Sequence, residues 1–187
     1  MTPALIILLV LVGIIVLVGL WLMGSYNGLV TLRQAVKNAW AQIDVQLRRR
    51  HDLIPNIVNT VKGYAAHERG TLEAVMAARA KATSVTLPAD RIKAEGELSS
   101  ALTRLLAVSE NYPELKANQN FLALQEELTS TENRVAYARQ FYNDNVAKLN
   151  TRIQTFPTII IAGMFGFKEE PFFEAPAEAK EAPQVQF

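Results

Sequence analysis

The chain has no cysteine, only two histidines and almost no net charge, and each shortage closes off a class of function. Without cysteine there is no disulfide, no thiolate metal site and no lipid-bearing lipoprotein cysteine, although either side of a membrane stays open. His51 and His67 are each followed by an acid. Adjacent residues on a helix point about 100° apart, so neither His51-Asp52 nor His67-Glu68 forms a convergent pair. A zincin needs histidines at i and i+4 around a glutamate, and metal-dependent phosphohydrolases need more histidines than two. Lys+Arg 19 against Asp+Glu 18 leaves a formal charge of +1, which exerts no pull on nucleic acid. Gly63, Gly70, Gly96, Gly163 and Gly166 are too scattered for a phosphate-cradling loop, a dinucleotide fingerprint or a nucleophile elbow. No catalytic residue, cofactor or metal is therefore expected, and the chain reads as a non-enzyme.

What the chain does have is an uncharged apolar run of 20 residues, Ala4–Met23. As a helix it spans roughly 30 Å, the thickness of one hydrocarbon core. A cleaved signal peptide would need a basic start and a shorter run, whereas this chain opens Met1-Thr2-Pro3. Residues 1–3 are read as a short tail and 4–24 as a retained anchor, with Ala4, Val12, Leu20 and Met23 marking its length. Gly13, Gly19 and Gly24 lie six and five apart, so no glycine pair has the spacing of a helix-dimer clasp. Arg33, Lys37 and Arg48–Arg50 all follow the span, which by the positive-inside rule places the remainder in the cytoplasm.

The remainder is helical in pattern. Leu29, Leu32, Val36, Trp40, Ile43, Leu47 and Ile54 recur at threes, fours and sevens, and the stripe resumes through Val58, Val61, Ala65, Leu72, Val75 and Ala78. One long helix over Gly28–Ala82, roughly 80 Å if continuous, is expected to kink or break briefly at Pro55, which lacks an amide donor and crowds the carbonyl of His51. Thr83–Pro88 reads as a loop. A second helix carries Ile92, Leu98, Leu102, Leu105 and Leu106 and stops near Asn111-Tyr112-Pro113. A third runs from about Asn118 to Thr155 on a 3-4 alternation from Phe121 to Ile153. Only Thr158–Ile161 offers any support for a strand. The predicted fold is all-α: a transmembrane helix followed by an antiparallel bundle of long helices over 25–157.

Two surface features stand out. Arg48-Arg49-Arg50 is the densest charge run. It is read first as a solvated or ion-paired face, in a helix whose polar row Asp44, Arg48, Asp52, Asn56 can pair with itself or with Glu126, Glu127 or Glu132, and second as an acidic-partner site. If these groups are buried, they fix helix register rather than add much stability. Residues 158–173 form an apolar and aromatic segment with Phe165, Phe167, Phe172 and Phe173. These are expected to fold back on the bundle end or, alternatively, to dock on a membrane surface or partner. The tail 174–187 reads as disordered.

Several stretches are similar to the signature of the bacterial LemA family: Tyr26-Asn27-Gly28, Ala39-Trp40-Ala41-Gln42-Ile43-Asp44, Arg49-Arg50-His51-Asp52-Leu53-Ile54-Pro55-Asn56 and Gly63-Tyr64-Ala65-Ala66-His67-Glu68. The later Glu132-Asn133-Arg134-Val135-Ala136-Tyr137, Tyr142-Asn143, Phe156-Pro157 and Phe165-Gly166-Phe167 match as well. Two departures are Leu149-Asn150, where many members carry a second Tyr-Asn pair, and Ile159, where many carry Asn. The resemblance implies a helical bundle behind an N-terminal membrane segment in a bacterial cytoplasmic membrane, and no catalytic residues. Lipoprotein-like relatives imply an extracytoplasmic bundle, against the charge reading. Gene association implies TPM-type domains or membrane metalloproteases as partners. The function expected is a membrane-anchored scaffold presenting its bundle to protein partners or as a homo-oligomer. The alternative is a membrane-shaping or lipid-binding protein using the anchor, the arginines and residues 158–173.

Overall fold

The computed structural model describes residues 3–173; the tail 174–187, read above as disordered, lies outside the described residues. Six helices follow in order: α1 (Pro3–Tyr64), α2 (Arg69–Ser84), α3 (Pro88–Ser109), α4 (Pro113–Lys116), α5 (Gln119–Gln154) and α6 (Thr158–Met164). No strand occurs among the described residues, and Thr158–Ile161 is helical.

α1 differs from the sequence expectation in its length, ending at Tyr64 rather than near Ala82, and of the kink or brief break expected at Pro55 no break occurs. Proline should orphan the carbonyl of His51 four residues back. Arg79 of α2 supplies the missing donor, its Nε lying 2.6 Å from that oxygen. The interruption instead falls at 65–68, where Ala65 and Glu68 close turn hydrogen bonds and Ala65 is itself buried. Ala65 and Leu72 are seven apart, so the apolar stripe keeps phase across the turn and does not betray it. α3 ends where expected: Tyr112 is extended ahead of Pro113, as a residue before proline prefers.

Two compact units divide the described residues, 3–40 with 141–172 and 41–140 with 173. In the second, α1 residues 41–64, α2, α3 and α5 residues 119–140 run alternately up and down. Lys81 pairs with Glu97 at 2.6 Å, Tyr112 donates to Glu68 at 3.2 Å and Asn118 donates to Tyr64 at 2.8 Å, contacts that fix these directions. The core between them contains Ile54, Ile57, Val61, Val75, Leu98, Leu105, Leu115, Phe121 and Leu128. This is the antiparallel bundle that 3-4 periodicity specifies.

The first unit holds the apolar end of α1, with the side chains from Leu5 to Met23 largely exposed and a window long and apolar enough to cross a membrane. Cover begins abruptly at Ser25 and is complete at Leu29. The rest of α5, a cis Phe156–Pro157 bond, α6 and the segment 165–172 complete the unit.

Candidate functional site

Arg48, Arg49 and Arg50 are consecutive on α1, so a helix fans them about 100° apart and sends them to different places. Arg48 is exposed and pairs with Asp44 at 2.7 Å, one turn back. Asp44 also receives Arg91 of α3 at 2.5 Å. Arg49 is half-exposed and meets Glu127 of α5. Arg50 is 0 % exposed. It occupies the core-facing slot between Leu47 and Ile54, where an apolar residue would continue the stripe.

That buried guanidinium is held from three sides. Its NH1 donates to Ser99 Oγ at 3.1 Å and to both oxygens of Glu132 at 2.9 and 3.1 Å. Its NH2 pairs with the wholly buried Glu95. His51 Nε2 donates to the other Glu95 oxygen at 2.9 Å. Arg139 of α5 adds a second cation nearby, its guanidinium 4.4 Å from the ring centroid of Phe173. Burial, then the charge of Arg50, lowers the Arg139 pKa, while Glu132 and Glu95 pull it back. Both Glu95 oxygens are occupied and its side chain is closed to solvent, while Glu132 stays partly exposed.

Burial pushes the Glu95 carboxyl upward, but the hydrogen bond from His51 and the charge of Arg50 outweigh it and hold the carboxyl below its usual range. In the unfolded chain a glutamate titrates at about 4.3. A depressed folded value means the contribution is fully present above that pH and is lost as pH falls through the lower folded value. Thermal unfolding followed from pH 7 to pH 3 should accordingly show this contribution intact down to about pH 5 and declining progressively as the pH falls below the unfolded value. Glu95→Gln should be less stable at neutral pH and have a flatter acid limb.

The two His-acid motifs split. His51 is buried on Glu95 while Asp52 is exposed, and His67 is exposed while Glu68 accepts from Tyr112 at 3.2 Å. Among the described residues no three His, Asp or Glu side chains converge as metal ligands would. Sequence reasoning offered Glu127 and Glu132 to the row that holds Asp44 and Arg48, whereas Arg48 pairs within that row, Glu127 meets Arg49 and Glu132 meets Arg50; Glu95 and Ser99 it missed. The signal was present: Glu95 stands three residues before Leu98 on an otherwise apolar stripe, where a carboxylate must find a cation.

The aromatic segment forms the second candidate site, inside the other unit. α6 ends in a Schellman turn: Phe167 N–H reaches Ala162 O at 2.9 Å, and Gly166 adopts φ 67°, which favours glycine. The reversal drives Phe167 back onto α1. There its ring lies 5.9 Å from Tyr26, edge-on, and under the Arg33 guanidinium at 4.9 Å. Phe165 meets Tyr26 at 4.8 Å yet stays 57 % exposed. Downstream, Asn150 clasps the backbone of Glu170 through two hydrogen bonds, at 2.9 and 3.0 Å. Tyr142 donates to Pro171 O at 2.9 Å. Burial and the Glu170 charge push the Tyr142 phenol up to about 12, which keeps it a donor. Phe167 and Phe173 are thus covered, while Phe165 and Phe172 remain exposed.

The sequence model of the LemA family matches residues 39–187, about four-fifths of the chain. The chain belongs to the LemA family. Among curated relatives of this LemA-family chain, the magnetosome protein MamQ of Magnetospirillum gryphiswaldense is 25 % identical over 183 residues, covering 83 % of this chain and 67 % of the relative. MamQ 2 of Paramagnetospirillum magneticum is 26 % identical over the same shares. Protein LemA of Metamycoplasma hominis is 24 % identical over 153 residues, 81 % of this chain and 70 % of the relative. The match covers both the ionic cluster and the α6 turn.

Proposed function

We propose that this LemA-family chain is a non-enzymatic, membrane-anchored scaffold that presents its helical bundle to protein partners or to further copies of itself. The observation that carries this reading is that the span and the first bundle helix are one uninterrupted helix, Pro3–Tyr64, with no linker between them. The polar groups that could do chemistry support it too, because Arg50, Glu95, His51 and Glu132 are committed to one another. Arg33 and Lys37 follow the span directly, which favours a cytoplasmic bundle at a bacterial cytoplasmic membrane. TPM-type domains and membrane metalloproteases are the partners to test first.

A photo-crosslinking residue placed at Val45 or Tyr137, both well exposed on the bundle, should give discrete heavier adducts when the full chain is irradiated in its native membrane. An adduct of twice the chain mass identifies self-association. No adduct at either position, together with a monomer by native mass of the membrane extract, would overturn the scaffold role. Asn133→Cys, in a chain with no other cysteine, should react with a membrane-impermeant maleimide only after lysis. Labelling in intact cells places the bundle outside.

A further inference from the structure

A short helix on a protein surface ordinarily turns polar side chains to water. α6 does not. Thr158, Ile161 and Ala162 face inward, but Phe156, Ile159, Ile160, Met164 and Phe165 are between 48 % and 77 % exposed. No charged residue occurs between Arg152 and Lys168. A contiguous apolar surface of this kind on a soluble protein marks something that covers it.

Its position names the cover. Phe165 and Phe167 pack against Tyr26, and Tyr26 is three residues past Met23, the end of the apolar span. Three residues of helix rise about 4.5 Å. The headgroup zone on each side of the hydrocarbon core is about 5–7 Å deep. The Phe165 end of α6 is therefore at the level where α1 leaves the hydrocarbon, and the exposed side chains there, Phe165 and Met164 with Ile160 and Ile159, are of the apolar and aromatic kind that an interfacial helix buries at that level.

We propose that the α6 tip, Phe156 to Phe165, is a second membrane contact, entering the headgroup and acyl boundary of the same leaflet from which α1 emerges. The chain then holds the bilayer at two adjacent points, a spanning helix and a short interfacial one. The ligand is the lipid surface itself. The arginine run takes no part, since Arg50 is enclosed and Arg48 and Arg49 are paired with Asp44 and Glu127. This inference rests on the span but not on the scaffold role, so either can fail without the other.

The full chain offers a direct test because it contains no native cysteine. Ile160→Cys and Met164→Cys, each labelled with an environment-sensitive fluorophore, are reconstituted into phosphatidylcholine and phosphatidylglycerol vesicles, with Tyr137→Cys on the bundle as control. Both replaced side chains are exposed, so the helical circular dichroism should match the parent. The expected result is a blue-shifted emission at 160 and 164 and loss of most of it when the lipids are brominated at a shallow acyl position. The Tyr137 label should respond only to aqueous iodide. Quenching of the 160 and 164 labels by iodide and not by brominated lipid overturns the proposal. So does shielding from both quenchers that varies with protein-to-lipid ratio, which would put a second copy on that face.

Discussion

Arg50→Ala should destabilise the bundle by about 3–5 kcal/mol, because it leaves a buried carboxylate without its cation. The side chain of Glu95 is 0 % exposed and so cannot recover the loss by turning to water. Glu132, whose side chain is 37 % exposed, can. Denaturant unfolding of the full chain in detergent, followed by circular dichroism, measures the effect. The informative companion is the double variant Arg50→Met, Glu95→Met, which removes both charges and keeps volume. If the cluster matters for pairing register, the double variant should regain most of the lost stability, since apolar replacement of a buried ion pair is often neutral or better. His51 then loses its acceptor, which leaves a smaller residual cost of about 1–3 kcal/mol. A double variant no more stable than Arg50→Ala would mean that the cost lies in the shape of the guanidinium, not in its charge.

Phe167→Ala is the second large effect expected, about 3–5 kcal/mol for truncating a buried phenylalanine. It removes the ring that α6 uses to meet Tyr26 and Arg33 at the start of the covered part of α1. The loss should be local. Hydrogen exchange should show the amides of 158–167 opening in the variant, while those of α2 and α3 keep their protection. Phe165→Ala removes a ring that is already 57 % exposed and should cost only about 1 kcal/mol, the worth of one aromatic pair. Equal protection of 158–167 in the parent and in Phe167→Ala would show that the buried Thr158, Ile161 and Ala162 hold α6 without the aromatic contacts.

The long helices, the span and the antiparallel order were legible because burying one face of a helix imposes a period that the residues must obey. Arg50 was legible in principle: the step from Leu47 to Ile54 leaves one core slot between them, and the residue in it is charged. The segment 158–173 was read as folding back on the bundle end or as docking on a membrane surface or partner; in the structure Phe167 is buried and Phe165 is exposed, a split along the segment that composition does not reveal. Three features were hidden for physical reasons. The reversal at 65–68 preserves the phase of the apolar stripe, so periodicity runs straight through it. Thr158–Ile161 is rich in β-branched residues, whose local preference favours strand, yet the turn at Gly166 and the contacts with α1 hold it as helix. The continuity of α1 through Pro55 depends on a residue 24 positions away, which no local rule can see.

That last pairing constrains how this protein can change over generations. While Pro55 is present, Arg79 is the donor that answers the His51 carbonyl. A lineage that replaces Arg79 first passes through a form with a partly enclosed acceptor unanswered, at a cost of about 1–3 kcal/mol. A lineage that replaces Pro55 first restores the backbone amide and frees Arg79 to vary afterwards. The two positions are thus open to drift in one order and closed in the other.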